Sequence, residues 1–102
     1  MKKEFFAPMS ISSRMKSLGF DEYCCAYHLT NGDFHFGSEM TVDMLCAFSS
    51  VNYVKAPLYQ QVIDWLLVKL IDCDEYIEVV YAATKPIDEL NQEIKEALKL
   101  IK

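Results

Sequence analysis

The stretch that decides the fold is Tyr23-Cys-Cys-Ala-Tyr-His-Leu-Thr-Asn-Gly-Asp-Phe-His-Phe-Gly37, in which an Asn-Gly pair separates two runs rich in apolar and aromatic residues. Asn-Gly between two such runs is a strong signal for a β-hairpin closed by a two-residue type I′ turn. We therefore predict strands over 23–30 and 33–37. The turn fixes the register, and the predicted cross-strand pairs are Thr30–Asp33, Leu29–Phe34, His28–His35 and Tyr27–Phe36.

This register divides the side chains between the two faces of the hairpin, because successive residues of a strand point to opposite sides. The predicted inner face is the apolar one and comprises Cys25, Tyr27, Leu29, Phe34 and Phe36. The predicted outer face comprises Ala26, His28, Thr30, Asp33 and His35.

The predicted pair of His28 and His35 is the best candidate for a metal or acid–base site. Directly opposed residues hold their Cβ atoms about 5 Å apart, within reach of one ion, and Asp33 on the same face adds a carboxylate. Imidazole ligands suit zinc, copper or nickel. The alternative is a polar, solvent-facing surface that carries two histidines, because the sequence offers no evident third and fourth ligand. The sequence predicts no cofactor.

Helical patterns surround the hairpin. We predict a first helix from about Ser10 to Leu18, followed by Gly19 as its terminating residue. A second helix is predicted from Pro57 to about Ile71, and a last helix begins at Pro86. A strand is predicted over 75–83. Segment 38–55 leaves alternatives open: a helix capped by Thr41 and running through Val42, Leu45, Cys46 and Phe48, a short strand over 51–55, or both.

The resulting order is α-β-β-(α or β)-α-β-α. It predicts an α+β fold with a small, largely antiparallel sheet and helices packed on one face. The length of 102 residues fits a single domain, 1–102, and 52% hydrophobic residues supply the material for a core.

Charge and cysteine content narrow the classes of function. The net charge of −5 argues against nucleic-acid binding, which depends on Lys and Arg. The most apolar stretch, Val62 to Ile71, is about half the length of a membrane span, so we expect no membrane insertion. No two of the four cysteines have a C-x-x-C spacing, which favours free, mostly buried thiols in a reducing compartment and a cytoplasmic protein.

Catalytic motifs are missing from the sequence. It contains no G-x-S-x-G, P-loop or G-x-G-x-x-G pattern. The acids Asp21 and Glu22 are typical of a loop, and those at 72, 74 and 75 of a helix stop. We expect that the protein is not an enzyme.

The second predicted helix has more apolar residues than a single contact with the core would cover. Trp65, Leu66, Leu67 and Val68 follow one another, and four consecutive helical residues cover all sides of the helix. The surplus side packs against another segment of the fold, such as 41–49, or it contacts a second subunit or partner. The predicted interface residues are Tyr59, Trp65, Leu67, Val68, Tyr76 and Val80.

Three segments carry a resemblance to a known group of proteins. They are Leu18-Gly-Phe-Asp-Glu-Tyr-Cys-Cys-Ala-Tyr27, Ala56-Pro-Leu-Tyr-Gln-Gln-Val-Ile-Asp-Trp-Leu66 and Glu96-Ala-Leu-Lys-Leu-Ile101. In this order they resemble small hypothetical proteins of phages and prophages of gut Bacteroides and relatives, over most of the chain except 34–54. The resemblance implies no activity or cofactor. The chain departs from the group after Trp65, where two normally solvated positions are apolar.

These observations favour a non-enzymatic accessory or interaction protein, encoded by a phage or prophage and acting in the host cytosol. We expect a homodimer, or a complex with a phage or host protein, through the second predicted helix. The alternative is a metal- or small-molecule-binding module at His28 and His35. A third hypothesis, based on the charge alone, is an acidic inhibitor or decoy of a nucleic-acid-binding protein.

Overall fold

A computed structural model describes residues 3–71 and 84–101 of the chain. By their contacts the residues form two compact units, Met1–Leu58 and Tyr59–Lys102, and each is described separately below. The prediction of a single domain stays a prediction. Within the described residues the structure has four α-helices and a three-stranded antiparallel sheet, which confirms the α+β fold class.

The first unit opens with a 3-10 turn, Lys3–Phe5, and helix α1, Met9–Ser17. The helix ends as predicted, at Gly19, whose φ of +97° is a left-handed conformation that favours glycine. The amide of Phe20 donates to the Met15 carbonyl, and the Gly19 amide donates to the Lys16 carbonyl. This bond pair is the Schellman motif, and it folds buried Phe20 back onto the last turn of α1.

The hairpin is present, but its predicted turn and register are wrong. Strand β1 is Ala26–Leu29 and β2 is Phe34–Phe36, and the observed pairs are Ala26–Phe36, Tyr27–His35 and His28–Phe34. The Leu29 amide donates to the Asp33 carbonyl, and the Gly32 amide donates to the Leu29 carbonyl, so three residues rather than two close the loop. Of these three only Gly32 has a positive φ, whereas a type I′ turn needs two. The connection is a type I turn followed by a glycine bulge.

A shift of one residue changes which side chains share a face. Phe34 and Phe36 lie on the same face as Ala26 and His28, not on the face of Tyr27 and Leu29. Phe6 packs on this aromatic face, with ring centroids 5.5 Å from both Phe34 and Phe36. The predicted division of the hairpin into an apolar and a polar face is therefore wrong, because both faces are apolar.

Segment 38–55 contains both the helix and the strand that the sequence leaves as alternatives. Helix α2 is Glu39–Ser49, and strand β3, Tyr53–Lys55, pairs with β1 to give the sheet order β2-β1-β3. The N-terminal cap is Ser38 rather than the predicted Thr41, since the Ser38 hydroxyl accepts from the Thr41 amide. Val42 anchors α2 on the second face of the sheet, against Tyr27 and Leu29.

The second unit contains helix α3, Tyr59–Lys69, and helix α4, Ile87–Leu98. Pro86 precedes the first residue of α4, and Asp88 and Glu89 lie in its first turn, where the helix dipole favours acids. The buried residues of α4 are Leu90, Ile94, Ala97 and Leu98. The strand predicted over 75–83 lies outside the described residues. No helix in the described part of the chain combines the length and the apolar character needed to span a bilayer.

Candidate functional site

Helix α2 turns most of its apolar side chains away from the core. Val42 is its one buried residue. Met40 is 74% exposed, Met44 58%, Phe48 89% and Leu45 44%. We call these four residues the α2 apolar face. Monomeric proteins rarely leave apolar patches of more than a few hundred Å² in water, so a contiguous group of this kind indicates a contact surface.

The spacing of these residues explains why they form one surface. Met40, Met44 and Phe48 follow at i, i+4 and i+8, which places them within an arc of about 80° on a helix of 3.6 residues per turn. Val42 lies about 160° away from Met44 on the same helix, which is the opposite side. Because Val42 fills the core, the Met40–Met44–Phe48 row must point outward. Methionine is common on surfaces that bind other chains, because its flexible, polarisable side chain adapts to different partners.

An acidic edge, formed by Glu39 and Asp43, borders this face. Each acid directly precedes a methionine of the row, so both lie on the same flank of Met40 and Met44. Helix α2 contains no Lys or Arg. The Tyr53 hydroxyl of β3 donates to Asp43 at 2.7 Å and reaches Glu39 at 3.3 Å, which ties this flank of α2 to the sheet.

The acids in turn affect Tyr53. The hydrogen bond to Asp43 is the main reason why the pKa of Tyr53 is raised, and burial adds to the rise. The phenol therefore remains protonated at neutral pH and continues to donate to the carboxylates. Its role is to hold the two acids in place, and it is not available as a general base.

A cleft of about 590 Å³ lies beside β3 in the first unit. Its walls come from α1, the following loop, the hairpin turn, α2 and β3, and the lining residues are Ser12, Lys16, Phe20, Asp21, Thr30, Glu39, Asn52, Tyr53, Val54 and Lys55. The Lys55 ammonium lies 3.0 Å from Asp21. Burial alone lowers the pKa of Lys55, but Asp21 and the other acids outweigh it, and the net result is a raised pKa. Lys55 is thus a cation at neutral pH and not an amine nucleophile.

The structure places the two predicted metal ligands on opposite faces of the sheet. His28 lies opposite Phe34 and is buried, with 7% exposure, and its Nε2 lies 2.7 Å from the Ala7 carbonyl oxygen. His35 lies opposite Tyr27, and its Nε2 is buried with no hydrogen-bond partner among the described residues. The predicted cross-strand pairing is therefore wrong, and the geometric basis for a shared metal site is lost. Within residues 3–71 and 84–101, no three His, Cys, Asp or Glu side chains gather as a metal site requires.

The predicted interface residues on α3 differ in their exposure. Val68 is 72% exposed, Leu67 is half-buried and Trp65 is buried. The Lys69 ammonium lies over the Trp65 ring, 5.5 Å from its centroid, and the half-buried Tyr59 donates its hydroxyl to Asn91 at 2.6 Å. Tyr76 and Val80 lie outside the described residues. Val68 is thus the most exposed of the described members of this set, and the interface stays a prediction.

The cysteines in the described residues are free, as predicted: Cys24 is buried, and Cys25 and Cys46 are partly buried. Cys73 lies outside the described residues.

Sequence reasoning missed the α2 apolar face. It left a helix through Val42, Leu45, Cys46 and Phe48 as one alternative for this segment and did not say which side of it faces the core. The i, i+4, i+8 row of Met40, Met44 and Phe48 was the available signal, because a second apolar row on a short helix exceeds what one core contact can cover.

Comparisons with known proteins add nothing to this geometry: no protein-family model, no curated protein and no solved structure matches the chain.

Proposed function

We propose that this protein acts by binding another protein, and that the α2 apolar face docks an amphipathic helix of the partner. The observation that carries the proposal is the exposure of Met40, Met44 and Phe48 on the side of α2 opposite its core anchor, Val42. Exposed Leu45 lies at the edge of this face, next to Phe48. Helix-in-groove and helix-on-helix recognition uses apolar residues at this spacing. We infer further that it is an accessory protein encoded by a phage or prophage, an origin that the sequence resemblance supports, and that it acts in the cytoplasm.

A partner, rather than a second copy of this chain, fits the charge of the surface. A second copy brings the same acidic edge and the same net charge of −5. Suppose that two copies pair their α2 helices antiparallel, related by a two-fold axis perpendicular to the helices and to the line between them. This rotation leaves each flank on its own side, so the acidic edges of both copies lie on the same side of the contact. Like charges so placed oppose the contact.

The binding test uses a neutral probe, so that it measures the apolar contact alone. The probe is a synthetic amphipathic helix of about five turns with Leu on one face and Gln on the other. With 13C-methyl-labelled methionine, the Met40 and Met44 methyl signals are expected to shift on addition of the probe. The signal of buried Met15 should remain in place.

Two substitutions locate the contact. Phe48→Ser should weaken probe binding about tenfold or more, because burying a phenylalanine side chain contributes about 1.5–3 kcal/mol. Val68→Ser on α3 is the matched control and should leave binding unchanged. Methyl signals that do not move at millimolar probe, or that move equally for both variants, would refute the proposal. Signals that depend on protein concentration without any probe would identify a second copy as the occupant.

A further inference from the structure

We infer that the helix recognised by the α2 apolar face carries basic residues along one flank, so that its Lys or Arg side chains meet the acidic edge of Glu39 and Asp43. This inference rests on the proposed function and adds the chemical class and the orientation of the partner. It draws on the position of the acids rather than on the exposure of the apolar side chains.

The acids lie on one side of the face only. On a helix of 3.6 residues per turn, Glu39 and Asp43 are offset by about 100° from Met40 and Met44 in one direction. Thr41 and Leu45 lie on the other side and are uncharged. Among the residues of α2, a partner helix on the methionine row therefore meets negative charge along one flank and none along the other.

Tyr53 restrains the carboxylates of the acidic edge. Its hydroxyl has one proton and lies 2.7 Å from an oxygen of Asp43 and 3.3 Å from one of Glu39, so the bond to Asp43 is the stronger, and both acidic residues remain exposed. A carboxylate that is already restrained loses less conformational entropy when it pairs with an incoming cation. Lys55 of β3 forms its salt bridge with Asp21 at 3.0 Å, and its charge attracts Glu39 from a greater distance.

The two acids also set a spacing. They are four residues apart on one helix, which separates their Cβ atoms by about 6 Å. The matching pattern on the partner is a pair of Lys or Arg residues at i and i+3 or i+4, next to an apolar row. Exposed pairs of this kind together change the affinity by about three- to tenfold, which is enough to choose between partners that bury similar apolar area.

The experiment compares two probes that differ in flank charge. Both are amphipathic helices with the same Leu face, one flanked by Lys and the other by Glu. Binding is followed by the Met40 and Met44 methyl signals at low and high salt. The Lys-flanked probe should bind about three- to tenfold more tightly at low salt, and the difference should shrink at 1 M salt, where the screening length is about 3 Å.

Variants assign the preference to the acidic edge. Glu39→Gln with Asp43→Asn should remove the difference between the probes. Asp88→Asn with Glu89→Gln on α4 changes the net charge by the same amount and should retain it. Tyr53→Phe removes the restraining hydroxyl but keeps both charges, so the preference for the Lys-flanked probe should persist but become smaller, because the freed carboxylates lose more conformational entropy on pairing.

The outcomes separate this inference from the proposed function. Equal binding of both probes with shifted methionine signals overturns the inference and leaves the proposed function intact. If the α4 variant also loses the preference for the Lys-flanked probe, the preference comes from the net charge of the protein, and the role of the acidic edge is overturned. If neither probe shifts the methionine signals, both proposals fail.

Discussion

His28 lies directly across the hairpin from Phe34, with the two ring centroids 5.1 Å apart, and its Nε2 is 2.7 Å from the carbonyl oxygen of Ala7. A carbonyl only accepts hydrogen bonds, so the ring carries its proton on Nε2. The Ser12 hydroxyl donates to the same carbonyl at 3.2 Å. His28 thus joins the central strand to the segment that leads into α1, and its role in the described structure is to hold these parts of the core together.

This arrangement predicts that the protein loses stability as the pH falls. Burial lowers the pKa of His28 below its ordinary value near 6.5, and Lys3 acts in the same direction, while the hydrogen bond to Ala7 opposes them. The unfolded chain therefore binds a proton more readily than the folded one. The stability that comes from burying neutral His28 is fully present above about pH 6.5. It is lost as the pH falls from there toward the lowered pKa of His28.

Urea denaturation at several pH values between about 5 and 8 measures this loss as a falling free energy of unfolding. His28→Gln should be less stable overall, since it loses the ring contact with Phe34, but its stability should change less over this range. If the free energy of unfolding of His28→Gln falls with pH as steeply as that of the parent protein, the pH dependence comes from other groups.

The error in the predicted register has a physical cause in β1. All four residues of that strand are buried, because the sheet is covered on both faces. Alternation between apolar and polar residues therefore could not show which face is inward. The Asn-Gly pair fits both two- and three-residue loops, and the choice depends on the Asn31 side chain, whose Oδ1 accepts from the Asp33 amide at 2.9 Å.

The helices were easier to predict than the site. Gly19 and Pro86 mark helix ends by their backbone chemistry, which is local and visible in the sequence. Helix α2 has apolar residues on two sides, and local sequence does not say which side meets the sheet. That depends on Val42 fitting against Tyr27 and Leu29, a contact between distant parts of the chain. The candidate site therefore emerged only from the three-dimensional arrangement.

The three-residue loop makes Gly32 sensitive to substitution. Its φ is +97°, and an added Cβ would meet no atom within 4 Å. Gly32→Ala should therefore cost only the backbone strain of a left-handed residue, about 1–2 kcal/mol of unfolding free energy. Gly37→Ala should cost more, because its Cβ would also lie 3.1 Å from Nε2 of His35. Thermal or urea unfolding of both variants tests this order, and equal stability of parent protein and Gly32→Ala would contradict the observed turn.

Oxidation offers a direct test of the exposed methionines. Dilute hydrogen peroxide should convert Met40 and Met44 to sulfoxides well before the fully buried Met15, as followed by mass spectrometry of peptides. Sulfoxides are polar, so the oxidised protein should bind the Leu/Gln probe more weakly. Met40→Leu with Met44→Leu keeps an apolar face that peroxide does not attack, and this variant should retain binding after treatment. Equal loss in both proteins would show that oxidation acts elsewhere.

The exposed end of α3 tests the homodimer that the sequence predicts. Val68 is exposed and Leu67 is half-buried, next to Ile71, which is also exposed. If two copies meet there, a charge at either position must be buried unpaired, which opposes association. Light scattering and sedimentation at micromolar concentration should then show a dimer for the parent protein and a monomer for Leu67→Glu and Val68→Glu. Phe48→Ser on α2 should remain dimeric, because it leaves the α3 surface intact. A parent protein that is monomeric, and that is unchanged by Leu67→Glu, would exclude self-association through α3 and leave the α2 apolar face as the surface to pursue.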